Sequence, residues 1–323
     1  MGNPYESPFW LPGSHAQTMY PYLFLRGRPI SFRRERLETP DGDFIDVDWL
    51  EGPPGAPALV LFHGLEGSSK SHYATAILAA AAARGWRGVV PHWRGCGGEP
   101  NRLPRAYHSG DHAEVDWMLG ALRPRLGSAP MAAVGVSLGG SALLNWLGRE
   151  GEKSRAWLKA AAAVSAPIDL MASGSALDRG WNRIYARNFL RTLVPKALAK
   201  ERLHPRIYDA AALARVRTMR AFDDLVTAPL HGFRDVVDYW TRGSSKPWLA
   251  TVRLPTLVLN ARNDPFIPGA SLPGPGDVSA DVTLDQPSHG GHVGFTSGGF
   301  PGGLDWLCAR LLDFLRERLE DVR

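Results

Sequence analysis

Residues 134–141 of the 323-residue chain read Val-Gly-Val-Ser-Leu-Gly-Gly-Ser. Within them Gly135-Val136-Ser137-Leu138-Gly139 forms a G-x-S-x-G. The apolar, strand-like Pro130–Val134 comes before it and the helix-like Ser141–Leu147 after it. A serine at a sharp strand-to-helix turn has its hydroxyl held clear of the fold, and small residues two positions either side let the backbone turn that tightly. The N-terminus of the following helix offers unpaired N–H groups and the positive end of a dipole to a developing anion. This is the arrangement of an activated nucleophile. The alternative, a glycine-rich turn carrying an incidental serine, gives no reason for a strand before it and a helix after it.

A serine hydroxyl attacks poorly at neutral pH unless a base takes its proton and a carboxylate orients that base. When the serine sits on a strand–turn–helix elbow, the acid and then the histidine follow it in the chain. Asp264 is the candidate acid. It follows the strand-like Thr256–Asn260 in Ala261-Arg262-Asn263-Asp264-Pro265, where a carboxylate past a strand end faces the shared crevice. A turn-capping aspartate would have the same local sequence. Two candidate bases, His289 and His292, lie in Ser288-His289-Gly290-Gly291-His292-Val293-Gly294, and spacing alone does not separate them. The oxyanion of a tetrahedral intermediate needs two N–H donors. Leu138, directly after the serine, and Leu65, in His63-Gly64-Leu65-Glu66-Gly67, are the candidates. His63 reads as a structural histidine bracing that loop. A rival cluster, His108, Asp111 and His112, spaces two imidazoles as metal sites do, but no third ligand group accompanies it. Capping at a helix start is the preferred reading there, with no metal and no cofactor expected.

The elements that must position these residues follow from hydropathy. Arg33–Glu38 and Phe44–Leu50 flank Pro40-Asp41-Gly42-Asp43, a hairpin signal. Ala58–Phe62, Gly88–Pro91, Met131–Val136, Leu158–Ser165, Thr256–Asn260 and Val282–Leu284 read as further strands, several of them continuously apolar as in a sheet covered on both faces. Helices are expected over Ser71–Ala83, Gly110–Leu122, Ser137–Gly148 and Gly303–Arg318. The alternation predicts an α/β chain with a mostly parallel twisted sheet between helices. It breaks between Ser165 and Pro255, where helices and loops suggest a lid or cap insertion at about 168–245 in a single domain spanning 1–323. Within it, Trp181, Ile184, Tyr185, Phe189, Leu190 and Leu193 recur at helical spacing, with Arg183, Arg187, Arg191 and Lys196 on other faces. This basic amphipathic helix suits packing on the core first, then a lid, then contact with a membrane surface.

The net charge is +5, yet the basic residues form no long block and no nucleic-acid motif, so nucleic-acid binding is not expected. Two cysteines far apart, Cys96 and Cys308, suggest no disulfide framework and permit a reducing cytoplasm. The N-terminal residues lack a basic stub followed by an apolar run, so no secretory leader is expected. No run approaches the ~18 apolar residues of a membrane span.

Several segments together resemble the YheT-like group of α/β-hydrolases, the AB hydrolase 4 family. They are Phe9-Trp10-Leu11-Pro12, Ser14-His15-Ala16-Gln17-Thr18, His63-Gly64-Leu65-Glu66-Gly67, Arg94–Pro100, Tyr107-His108-Ser109-Gly110, the serine elbow, Phe222-Asp223-Asp224, Thr227–Phe233 and Gly291–Phe295. The match spans almost the whole chain. It departs at Ser14, where the family usually has asparagine. The resemblance implies an α/β-hydrolase fold, supports Ser137 and Asp264, and aligns the base with His292. It implies a serine hydrolase of carboxylesterase type acting on a small-molecule ester or acyl lipid through an acyl-enzyme. A lipase or thioesterase acting on longer acyl chains, and a non-catalytic ligand receptor built on the same fold, are the alternatives.

Overall fold

Asp-Gly at the tip of the first hairpin does what its chemistry predicts. In the computed structural model, which describes residues 3–25, 27 and 29–319, Thr39 and Asp43 close the turn. The Thr39 N–H donates to Asp43 O at 2.9 Å, and the Gly42 N–H to Thr39 O at 3.0 Å. The strands on either side, β1 (Arg33–Glu38) and β2 (Phe44–Leu50), pair antiparallel with Arg33 opposite Trp49 and Glu38 opposite Phe44. Met1 and Gly2, the first residues of the stretch read for a leader, lie outside the described residues.

The remaining strands are β3 (Ala58–Phe62), β4 (Arg87–Pro91), β5 (Met131–Val136), β6 (Ala160–Val164), β7 (Thr256–Leu259) and β8 (Val282–Asp285). They form one sheet in the order β1-β2-β4-β3-β5-β6-β7-β8. β2 meets β4 antiparallel, and every pairing from β4 through β8 is parallel. The uninterrupted apolar run of β3 has a direct cause. Leu59 and Leu61 face one helical layer and Val60 and Phe62 the other, so neither face can be polar.

The first layer holds α2 (His72–Ala83) and the C-terminal helix Asp305–Leu319, which bring Ile77, Leu78, Leu307 and Leu311 against the sheet. The second holds α3 (His112–Leu126) and α4 (Leu138–Glu150), with Met118, Leu119, Leu143 and Trp146. An N-terminal helix that hydropathy did not reveal, α1 (Ser14–Phe24), buries only Gln17, Thr18 and Pro21, too little apolar surface to leave a period in the sequence.

Between β6 and β7 the chain leaves the sheet and runs through α5 (Leu170–Leu177), α6 (Arg183–Leu203), α7 (Ala210–Ala214), α8 (Met219–Phe222), α9 (Ala228–Leu230) and α10 (Val236–Gly243). A wide π-type turn over Asp223–Thr227 separates α8 from α9. Ala186, Leu190, Leu193, Leu213, Met219 and Phe222 give this insertion a small core of its own. The C-terminal helix is α11. Among the described residues no helix is long and apolar enough to cross a membrane.

Candidate active site

The C-terminal ends of β3, β5, β7 and β8 converge on one crevice, where ligands sit in open parallel sheets. β5 delivers Ser137, whose φ of 53° and ψ of −119° are rare for a residue with a side chain. The Ser137 N–H donates to Val164 O at 2.8 Å, tying the elbow to β6. A Cβ on Gly135 would lie 2.5 Å from Gly139 O across the turn, and one on Gly139 would lie 2.3 Å from Phe62 O at the end of β3. Glycine at both places is therefore a steric requirement of the elbow. Ser137 itself is half-buried, so its hydroxyl remains reachable.

His292 reaches that hydroxyl and His289 does not. The Ser137 hydroxyl lies 3.0 Å from His292 Nε2, and His292 Nδ1–H donates to Asp264 Oδ2 at 2.8 Å. His289 is exposed at the surface. The other Asp264 oxygen accepts the Phe266 N–H at 2.8 Å, and the Phe266 ring stacks on the imidazole with centroids 4.2 Å apart. Both the orientation and the tautomer of His292 are thereby determined by its neighbours. The Asp264 side chain is fully buried and the His292 side chain nearly so, where attraction between carboxylate and imidazolium is weakly screened.

The loop carrying His292 takes an unusual path, with φ of 56° at Val293 and 38° at Phe295, and α1 supports it from outside. Thr18 Oγ1 accepts the His292 N–H at 2.9 Å, and Gln17 Oε1 accepts the Gly290 N–H at 3.0 Å and Asn263 Nδ2–H at 2.9 Å. Asn263 Oδ1 takes the Gly291 N–H at 3.0 Å, and Ser165 Oγ takes the Val293 N–H at 3.0 Å. One buried amide side chain, Gln17, thus joins the acid loop to the histidine loop. Periodicity held no sign of this role. The only signal was the Ser14–Thr18 stretch within the family resemblance.

The loop after β3 passes directly beside the serine: a Cβ on Gly64 would lie 3.2 Å from Ser137 Cβ. Leu138 is the first residue of α4, so its N–H has no partner inside the helix. Among the described residues, no protein group accepts the Leu65 N–H. His63 braces this loop, as its sequence context suggests. Its Nε2 accepts the Trp93 N–H at 3.3 Å, its Nδ1–H faces Gly64 O at 2.9 Å, and complete burial pushes its pKa down to about 3. The His108–Asp111–His112 cluster has a different structure from a metal site. His108 packs among His231, Phe233 and Tyr239, 4.0 Å from Asp111 Oδ2, while His112 Nδ1 turns to Gly110 O.

Two charged residues to which the motif reading gave no role, one within the β3 loop and one reaching it from the insertion, form an ion pair. Glu66, at a φ of 55°, donates its N–H to Tyr107 Oη at 2.9 Å, and the Tyr107 hydroxyl donates back to Glu66 Oε1 at 2.9 Å. Lys196 on α6 reaches across to Glu66 Oε2 at 2.8 Å. Nearby Cys96 is no rival nucleophile, because burial first and the Glu66 charge second push its thiol up to about 12. From this rim a largely apolar cavity of about 340 Å³ opens under the helical insertion, with Leu65, Leu138, Tyr107, Leu193, Phe222 and Val226 in its walls.

Residues 57–298 match the model of the alpha/beta hydrolase fold family, and the chain belongs to that family. It is 43% identical over 311 residues to the "Putative esterase YheT" of Escherichia coli strain K12, covering 95% of this chain and 91% of that protein. It is 30% identical over 326 residues to human Phospholipase ABHD3, covering 98% of this chain and 79% of the human protein. Among solved structures, the Pyrococcus furiosus esterase Pf2001 superposes with a TM-score of 0.56 at 12% identity, covering 90% of this chain and 93% of that one, a likeness of fold alone. The similar proteins are thus α/β hydrolases of esterase and lipase type.

Proposed function

We propose that the protein is a serine hydrolase of carboxylesterase type that cleaves carboxylic esters by two-step acyl transfer. The observation that carries this reading is the unbroken hydrogen-bonded run from Ser137 Oγ through His292 to Asp264. Ser137 attacks the ester carbonyl as His292 Nε2 takes its proton. Asp264 holds the imidazole and stabilises its cation, and the Leu65 and Leu138 N–H groups receive the tetrahedral oxyanion. His292 then protonates the leaving alcohol, and water repeats the sequence to release the acid. No cofactor or metal takes part. The insertion at 168–245 serves as a cap over the site. The two thiols, Cys96 and Cys308, are free, in keeping with a reducing cytoplasm.

A fluorophosphonate probe tests this directly. Native protein is expected to label at Ser137, and Ser137→Ala to lose labelling and several orders of magnitude in turnover of an activated ester. Native protein that fails to label would favour a ligand receptor on the same fold. The apolar cavity next to Leu138 favours one second reading, a lipase or thioesterase acting on longer acyl chains. A series of acyl lengths, as oxygen and sulfur esters compared by kcat/KM, separates these activities.

A further inference from the structure

The charge of this chain is unevenly placed. Residues 168–245 hold thirteen lysines and arginines against eight aspartates and glutamates, a surplus of five that equals the whole chain's +5. The rest of the protein is therefore balanced, and the surplus gathers on the insertion. α6 alone carries six basic residues and one acidic residue, Glu201.

The inner face of α6 buries Ala186, Leu190, Leu193 and Ala197, and its Lys196 and Lys200 are engaged: Lys196 with Glu66, and Lys200 with Asn101 and Leu103. Its outer face differs. Arg183, Arg187 and Arg191, four residues apart, form an exposed row, and among the described residues none of them has a carboxylate, carbonyl or ring partner. Ile184, 53% exposed, lies in the same turn, and Trp181, 78% exposed, stands just before the helix. Trp and Ile projecting among unpaired arginines make an apolar wedge inside a cationic rim. A solvated helix face would have neutralised or diluted those charges. A bilayer interface bearing negative headgroups satisfies both parts, burying the wedge and supplying the counter-charges.

We propose that the outer face of α6 docks the protein on membrane surfaces rich in anionic lipid. The opposite side of the same helix packs Tyr185 and Phe189 on Phe266, which stacks on His292. Docking therefore holds the crevice roughly one helix diameter, about 10 Å, from the headgroups.

The test is co-sedimentation with large vesicles of phosphatidylcholine alone or mixed with phosphatidylglycerol. It is done on the full chain carrying Ser137→Ala, so that no lipid is hydrolysed. Binding to the mixed vesicles and not to the zwitterionic ones is expected, falling steeply as salt rises from about 50 to about 500 mM. Arg183→Gln, Arg187→Gln and Arg191→Gln combined should weaken binding about a hundredfold, three charges each worth about a factor of five near such a surface. Trp181→Ser should weaken it at every salt concentration. Neither change should alter hydrolysis of a soluble ester by the otherwise native chain, which also checks that the variants fold. Equal binding to both vesicle types, or full binding by the triple variant, overturns the proposal. So does tight binding of single-stranded RNA without vesicle binding, which would make the row a polyanion site. Docking and ester cleavage are read separately, so either can fail without the other.

Discussion

Replacing Lys196 by methionine should damage ester turnover through charge rather than shape, and the damage should be reversible by a second change. Glu66 directly follows Leu65, the proposed second oxyanion donor, and its side chain is only 9% exposed. A negative carboxylate so placed opposes the charge that develops on the substrate oxygen. Lys196, 2.8 Å from it, cancels that field. Even at about 8 Å and an effective dielectric of about 20, an uncancelled charge acts with about 2 kcal/mol. Lys196 is half exposed, so solvent screening reduces this to about 1 kcal/mol, about a fivefold loss. Because the opposing charge matters most when the oxyanion forms, the loss should fall on kcat and leave KM nearly unchanged. Glu66→Gln keeps an acceptor for the Tyr107 hydroxyl but removes the charge, so Lys196→Met with Glu66→Gln should regain most of the lost rate. The assay is kcat and KM for an activated soluble ester in the four members of this cycle. A single Lys196→Met variant with native kcat, or a double variant no faster than that single one, would refute the electrostatic argument. The second outcome would leave Lys196 as a mere fastener of α6.

Gln17→Leu should strand the buried Gly290 N–H and the Asn263 amide, costing about 1–3 kcal/mol and loosening His292, so kcat should fall as well as the melting temperature. Gly139→Ala should not fold, since its Cβ would meet the Phe62 carbonyl at 2.3 Å, whereas Gly64→Ala, tight only against Ser137 Cβ at 3.2 Å, should fold and lose kcat/KM. Acid should destabilise the protein between pH 6.5 and 3. Burial holds His63 and His108 down at about 3, so the unfolded chain takes up protons that the native one refuses. Asp223 acts in the opposite sense. Burial raises its carboxyl to about 6, the native state binds its proton first, and Asp223→Asn should therefore steepen the loss of melting temperature on acidification.

The central strands were legible because they are buried on both faces, and the first hairpin because Asp-Gly marks its turn. β1, β2, β3 and β5 begin and end where alternation and apolar runs place them. β6 starts at Ala160 rather than Leu158, since a run of alanines carries little contrast between core and edge. The serine elbow could be read because its pattern is local: Gly135 answers a steric need set by Gly139 and Gly140, within five residues of it. The choice between His289 and His292 could not be made on such grounds. It depends on Thr18 and Gln17, more than 270 residues away in the chain, whose short helix has almost no apolar face. The Glu66–Lys196 contact was hidden for a similar reason, since two charges in separate segments announce no partnership until the insertion folds back.

Lys200 donates to Asn101 Oδ1 at 2.9 Å, and Asn101 Nδ2–H donates to Asp43 at 2.6 Å, in the turn of the first hairpin. The helical insertion is therefore tied to one edge of the sheet, while Ser137 follows β5 near its middle and Asp264 and His292 follow β7 and β8 toward the other edge. On the proposed reading of the insertion as a cap, alterations to the hairpin should shift how substrates are admitted and leave ester cleavage intact. A search for variants with new selectivity would do well to begin there, far from the proposed nucleophile.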